Sequence, residues 1–242
     1  MGINFSGIKR SSIVGKGLRN ILNLVPKNAV VRVLQGSLKG KKWIVGSGTH
    51  GYWLGSYEYE KQKIFYNNIH IKDVVYDIGA NVGFYTLLAS SLVGSKGYVY
   101  AFEPFPDNVK FLKKHIELNK IKNVSIIEAA VGNQNRNVFF KTGDDNFSGR
   151  IDNSGEITVS SISLDSFISE NLLPNILKID VEGEEYNVLL GAKLLLQKTK
   201  PIIFLATHSE EQKELCLNYL NNAGYKSKIL GETFPDEFIC KF

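Results

Sequence analysis

The sequence is short of several residue types and patterns, and each shortage removes a class of protein. Only two cysteines occur in 242 residues, Cys216 and Cys240, with no paired metal-ligand spacing between them. That leaves a disulfide scaffold or a cysteine-bound zinc site without support, and both thiols read as packing residues. No apolar run reaches the roughly 18–20 residues that a membrane-spanning helix needs. The first residues also lack the apolar core and small-residue cleavage site of a secretory signal, so the expected location is cytoplasmic. Arginine is sparse, and the lysines behind the formal charge of +5 are scattered among acids. Their densest knot, Lys39, Lys41 and Lys42 beside Gly40 and Trp43, reads as a hairpin tip. A stripe that tracks phosphates is missing, which disfavours nucleic acid as a partner. Internal repeats and low-complexity segments are absent as well. What remains, with 43% hydrophobic and 22% charged residues, is the composition of an ordinary globular chain with one main core.

From Lys72 onward short apolar runs alternate with helical patterns, the signature of a parallel sheet covered on both faces. Strands are expected at Asp73 to Ile78, Gly97 to Glu103, Asn123 to Ala129, Asn175 to Val181 and Pro201 to Thr207. Helices are expected at Phe84 to Val93, Pro106 to Lys120, Glu184 to Lys198 and Ser209 to Ala223, the last opened by a capping-box pattern of Ser209 with Gln212. Alternation returns in the tail, Tyr225 to Leu230 and Glu237 to Phe242, which would close the sheet with an antiparallel pair. Residues 136–162 break the rhythm and read as a β-hairpin-like insertion. The sequence thus divides into an N-terminal helical and β cap over 1–71 and a Rossmann-like α/β core over 72–242, with a mostly parallel seven-stranded sheet. Within the cap, Ile8 to Asn28 reads as a basic amphipathic helix that packs on its own domain or makes weak peripheral contact with anionic lipid.

The chemistry concentrates in VVYDIGANVGFYTLLA, where a strand ends at Asp77 and Gly79, Asn81 and Gly83 occupy a tight turn that opens a helix. Glycine permits positive φ and close approach of a ligand, and the helix N-terminus offers unpaired N–H groups. A dinucleotide site wants G-x-G-x-x-G, which this turn lacks, and a pyrophosphate would be repelled by Asp77. The ammonium of an amino-acid cofactor would be attracted, so the pattern points to S-adenosylmethionine. Glu103, ending the next strand, is placed to accept both hydroxyls of an adenosyl ribose. The alternative is a cofactor-binding protein or oxidoreductase on the same Rossmann-like fold.

Three segments, YDIGANVGFYTLLAS, AFEPFPDNVKFLKKHIELN and ILKIDVEGEEYNVLLGA, resemble the FkbM family of methyltransferases, and the resemblance extends over roughly Tyr52 to Gly224. Upstream, WLGSYEYEKQKIF is similar to the segment that precedes the first strand in such proteins. The resemblance implies a class I methyltransferase fold and methyl transfer from S-adenosylmethionine to a hydroxyl of a sugar, glycan or secondary metabolite. It also implies that Asp77, Gly79, Asn81 and Gly83 hold the methionine moiety, Glu103 the ribose, and Glu128 or the Ala129 backbone the adenine edge. One departure is visible: relatives often carry an acid near the end of the fifth strand, where this chain has Ala206.

At the reacting centre, Asp180 in KIDVEGEE ends the fourth strand, Glu182 comes just after it and His208 follows the fifth, all at the ligand-bearing edge of an open sheet. These residues would bind the acceptor, take its proton or help hold a cation; a divalent metal has no ligand motif behind it. Amine methyltransferases often show an Asn/Asp-Pro-Pro-aromatic motif after the fourth strand, and its absence favours an oxygen acceptor. Trp53, Tyr57 and Glu58 lie in a glycine- and aromatic-rich stretch that reads as a lid over a small-molecule or glycan acceptor, or as a packed loop. Arg150, in DDNFSGR, would clamp an anionic group or stand at a solvated hairpin tip. His115 and His70 read as solvated or capping residues. Oligomeric state is not legible.

Overall fold

A computed structural model describes residues 19–143, 149–151 and 155–242, with the side chains of 142, 149 and 150 outside that description. The central sheet has seven strands: β3 (Val74–Ile78), β4 (Tyr98–Phe102), β5 (Val124–Ile127), β10 (Ile176–Ile179), β11 (Ile202–Ala206), β12 (Lys226–Gly231) and β13 (Phe234–Lys241). Their spatial order is β12-β13-β11-β10-β3-β4-β5. The five central and edge strands from β11 to β5 run parallel, while β13 is antiparallel to both β11 and β12. The chain steps from β3 outward to β5, then crosses back to β10, so strand order reverses between β3 and β10. Ligands of open α/β sheets bind at that reversal, beyond the carboxyl ends of the strands.

Side-chain alternation divides the sheet cleanly. Val75, Val99, Ile176 and Phe204 face one core, with α2 (Tyr59–Asn68) and α3 (Phe84–Val93) laid over it. Tyr76, Leu177, Ile179 and Leu205 face the other, covered by α6 (Glu185–Leu190), α7 (Lys193–Thr199) and α8 (Glu210–Asn222). The remaining helices are α1 (His50–Leu54), α4 (Pro106–Leu118) and α5 (Leu164–Phe167). β3, β4, β10 and β11 are buried along most of their length, which is why these runs read as continuous apolar segments, while the edge strand β5 is half-buried throughout.

Three expected features differ. The helix expected over Glu184 to Lys198 breaks at Gly191 into α6 and α7: the Ala192 N–H donates to the Leu189 carbonyl at 3.1 Å, and the Gly191 carbonyl accepts from the Asp165 N–H at 2.8 Å. Glycine is needed at this joint, because a β-carbon there would lie 2.0 Å from the carbonyl oxygen of Gly132. The capping box at α8 is half made: the Ser209 hydroxyl accepts from the Gln212 N–H at 3.1 Å, but the Gln212 side chain turns away to accept from the N–H of Tyr186 at 3.0 Å. The insertion is a four-stranded sheet rather than a hairpin, in the order β6 (Ala130–Val131), β9 (Ile157–Ile162), β7 (Arg136–Thr142), β8 (Gly149–Ile151).

In the first seventy residues, β1 (Val30–Arg32) pairs antiparallel with β2 (Lys42–Ile44), placing Lys39 and Lys41 in the connection as the sequence suggests. Residues 19–22 are helical, and most of the expected N-terminal helix lies outside the described residues. Trp43 on β2 is fully buried and stacks on His115 of α4, with ring centroids 3.9 Å apart. His115 is therefore not solvated. Its Nδ1 donates to the Val82 carbonyl at 2.8 Å and its Nε2 accepts from the Ile44 N–H at 3.2 Å, using both ring nitrogens of a neutral imidazole. Burial drives its pKa down to about 4, the Val82 bond opposing the fall only weakly. Asn119 completes the joint by bonding both backbone groups of Lys42. His70, by contrast, is exposed as expected, and both cysteines are free and buried. Among the described residues no helix is long and apolar enough to cross a membrane.

Candidate active site

A cavity of about 400 Å³ opens beyond the carboxyl ends of β3, β10 and β11. Its size falls within the roughly 300–1,000 Å³ usual for small-ligand pockets. One wall is the turn after β3. Gly79 takes φ +77°, and a β-carbon on it would lie 1.9 Å from the Asp180 carbonyl oxygen. Only glycine allows the two strand ends to come this close while leaving backbone exposed to a ligand. Asn81 follows at φ +51°, with its side-chain oxygen accepting from the Val82 N–H at 2.7 Å. Gly83, at φ +98°, caps α3 with no side chain, and a β-carbon there would strike Leu112.

Glu103, buried at the end of β4, faces this turn. It accepts from the N–H of Asn81 at 2.7 Å, from the N–H of Phe105 at 2.9 Å and from the Asn108 amide at 3.3 Å. Burial raises its pKa to about 7, against the downward pull of those three donors. Beside it, Phe102, Ala129, Val131 and Phe140 make an apolar wall. A preorganised carboxylate next to a glycine turn and an apolar slot fits an adenosyl group with its ribose diol. Among the residues expected to bind it, Glu128 does not join this wall: it is exposed and pairs with Lys113 at 2.5 Å, while its neighbour Ala129 lines the cavity.

Asp77 departs from expectation more instructively. Asp77 on β3 and Lys178 on β10 are register partners in adjacent parallel strands, so their side chains emerge on the same face. They form a buried ion pair at 3.2 Å, and the Thr86 hydroxyl donates to the second Asp77 oxygen at 2.6 Å. Asp77 is fully buried and does not line the cavity. Its charge is balanced inside the protein, so it reaches a ligand only through Lys178, whose ammonium also donates to the Gly79 carbonyl at 3.2 Å.

The opposite half of the cavity is a charged network. Asp180, just past β10, lies 3.6 Å from Lys178 and 3.4 Å from Nε2 of His208. Burial pushes its pKa up, but Lys178, Lys61 and His208 overcome this and hold it at about 2. His208 also meets Glu182 at 3.5 Å and Glu185 at 2.7 Å. Burial opposes its charge, yet Glu185, Asp180 and Glu182 together raise its pKa to about 9. At neutral pH the pair is therefore imidazolium and carboxylate. Glu182, at φ +56°, lines the cavity alongside both. No group of three or more His, Cys, Asp or Glu side chains among the described residues is arranged to hold a metal ion.

The third wall comes from α1 and α2. Tyr57 and Glu58 line the cavity as expected, but Trp53 does not; it packs in the core against His50, and Tyr52 takes the cavity-facing position. Glu58 sits at φ +43° before α2, a left-handed conformation uncommon for a non-glycine residue and often found at functional sites. It is held there by the Tyr85 hydroxyl at 2.7 Å and by Lys61 at 3.1 Å. The buried Lys61 ammonium is also paired with Glu237 of β13. Burial works against the Lys61 charge, but Glu58, Asp180 and Glu237 outweigh it and raise its pKa. Glu237 is the antiparallel register partner of Ala206, so the acid absent from the end of β11 is supplied one strand over. Arg150 belongs to β8 by its backbone, and its side chain lies outside the described residues.

Lys61, Lys178 and Glu237 were not expected at the site. Lys178 had a readable signal, a lone charge inside the apolar run ILKI, since a buried charge demands a partner. Lys61 and Glu237 had none, because nothing local distinguishes them from solvated charges.

Comparison with known proteins identifies the family. Residues 77–227 match the family model of the methyltransferase FkbM domain. A hexuronic acid methyltransferase of Haloferax volcanii is 28% identical over 171 residues, covering 69% of each chain. Among solved structures, a methyltransferase FkbM from Methylobacillus flagellatus KT superposes with a TM-score of 0.54 at 18% identity, over 71% of this chain and 44% of that one. The present chain therefore spans under half of that protein's length. A precorrin-6y C5,15-methyltransferase from Geobacter metallireducens superposes with a TM-score of 0.50 at 16% identity, over 75% and 87% of the two chains. These two likenesses establish the fold, and the match of the family model over more than half the chain establishes the rest: the protein belongs to the FkbM family of S-adenosylmethionine-dependent methyltransferases.

Proposed function

We propose that the protein methylates a hydroxyl oxygen of a sugar or glycan. The observation that carries this reading is Asp180, an ionised carboxylate held at the mouth of the cavity opposite the Glu103 wall. The Haloferax relative, named for a sugar-acid acceptor, supports the substrate class.

S-adenosylmethionine supplies an electrophilic methyl group on a sulfonium. Glu103 would accept from its ribose hydroxyls, the backbone of Gly79 to Asn81 would meet its methionine part, and Ala129, Val131 and Phe140 would flank its base. When bound, the cofactor would give this methyl to the acceptor oxygen, with the carbon–sulfur electron pair left on sulfur. Asp180 accepts a hydrogen bond from the hydroxyl and aims an oxygen lone pair at the methyl group. A carboxylate with a pKa of about 2 is too weak a base to ionise a free hydroxyl. It need not do so, because the proton becomes strongly acidic once the oxygen has gained its third bond, and Asp180 takes it then. His208 and Lys178 keep Asp180 ionised, and orientation supplies much of the acceleration.

Methyl transfer from labelled cofactor to saccharide acceptors tests the proposal. The expected product carries label in an alkali-stable methyl ether, and Asp180→Asn lowers turnover by about 10²–10⁴ with cofactor affinity retained. Label on nitrogen, or in an ester cleaved by mild alkali, would refute it.

A further inference from the structure

The charges around the acceptor half of the cavity do not balance. Three cationic side chains stand there, and each is already shared. Lys178 lies between Asp77 and Asp180, at 3.2 and 3.6 Å. His208 lies between Asp180 and Glu185, at 3.4 and 2.7 Å. Lys61 lies between Glu58 and Glu237, with only 5% of its side chain exposed. Three positive charges thus serve five carboxylates, and Glu182, Glu184 and Asp236 add acid to the lining, Asp236 being paired with Lys213 at 3.3 Å. Among the described residues lining the cavity, only Lys178 and His208 are cationic.

From this imbalance we infer that the acceptor is a neutral or amino sugar, and that a uronic acid is disfavoured. The inference rests on the reading of the protein as a sugar O-methyltransferase and narrows its substrate. Glu58 and Glu237, fixed by the buried Lys61, present carboxyl oxygens to the hydroxyl or ammonium donors of a sugar. A substrate carboxylate would enter a space where, among the described residues, the lining cations Lys178 and His208 already have nearer protein partners. Like charges juxtaposed in a desolvated site are strongly unfavourable. Lys61 is in this account a positioning residue: it holds Glu58 in its left-handed backbone conformation and ties α2 to β13.

The test is equilibrium binding of matched methyl glycosides to the full chain loaded with S-adenosylhomocysteine, by calorimetry or ligand-observed NMR. Gluco, galacto and manno forms would each be compared as the hexoside, the 2-amino hexoside, the uronate and the uronamide. The uronamide keeps the shape of the uronate and removes its charge. The expected result is that the uronamide binds at least about tenfold tighter than the uronate of the same series, and that the contrast narrows in about 1 M salt. Glu58→Gln with Glu237→Gln should narrow it further, and the wild-type comparison stands whether or not that variant folds. A uronate that binds as tightly as its amide or more tightly overturns the inference while leaving the sugar reading intact. If none of the sugars binds, the sugar reading itself falls and takes this inference with it.

Discussion

One continuous stretch of chain, from Gly79 to Asn108, builds most of the cofactor half of the cavity, whereas the acceptor half draws on α1, α2, β10, β11 and β13. The first half is local: a glycine turn, a helix N-terminus and a carboxylate one strand away, each with a recognisable residue pattern. It holds its one acid, Glu103, by hydrogen bonds from backbone and amide donors. The second half is held by ion pairs between residues far apart in sequence, such as Lys61 with Glu237 and His208 with Asp180. A site built from backbone donors is preorganised by the fold itself. One built from shared charges depends on every partner being present, so the two halves should respond differently to substitution and to pH.

Lys178 is where the halves meet, and it should give the largest effect on the fold. Removing one partner of a buried ion pair leaves the other uncompensated, at a cost of about 3–5 kcal/mol. Lys178→Met would strand Asp77 and free Asp180 to rise from its depressed pKa. Denaturant unfolding of this variant is expected to show that loss, with cofactor and acceptor binding both damaged. A stability near wild type would mean that the network does not join the two halves.

Glu103→Ala is expected to separate them. It should weaken cofactor binding by about 1.5–3 kcal/mol, the worth of hydrogen bonds to a charged group, and change turnover at saturating cofactor much less. The pH dependence follows from the pKa of about 7: cofactor affinity should fall as pH drops below that value and Glu103 takes a proton, while Glu103→Gln shows little dependence there. Because this pKa is raised relative to an unfolded glutamate, the same group favours the folded state at low pH and loses that contribution as pH rises to about 7.

His208 gives the smallest effect. Its folded pKa of about 9 lies above the unfolded value, so its contribution to stability is fully present below about pH 6.5 and disappears as pH rises through 9. With 29% of the side chain exposed, solvent screening should limit it to on the order of 1–2 kcal/mol. Thermal unfolding between pH 6 and 10 should show the decline in wild type and a flatter profile in His208→Gln. Equal slopes would remove His208 from the acceptor network.

The same contrast governs what the sequence revealed. The parallel strands, the glycine turn and Glu103 were legible because each is encoded within a few residues. Asp77 was misread as facing the ligand because its partner, Lys178, comes from a strand about one hundred residues away. Trp53 was chosen over Tyr52 because α1 was read as a loop; in a helix a step of one residue turns the side chain by about 100°, from core to cavity. Glu128 and Ala129, just past β5, point to opposite sides, Glu128 exposed and Ala129 buried in the cavity lining. The joint at Gly191 needs glycine because of the backbone of Gly132, which no local pattern reports.

Calorimetric titration of S-adenosylhomocysteine into wild type, Glu103→Ala and Asp180→Asn tests the division of the cavity most directly. The account predicts cofactor affinity weakened at least about tenfold by Glu103→Ala. Asp180→Asn, in contrast, should leave affinity within about threefold of wild type, its defect lying in turnover. Full affinity in Glu103→Ala, or loss of binding confined to Asp180→Asn, would contradict it.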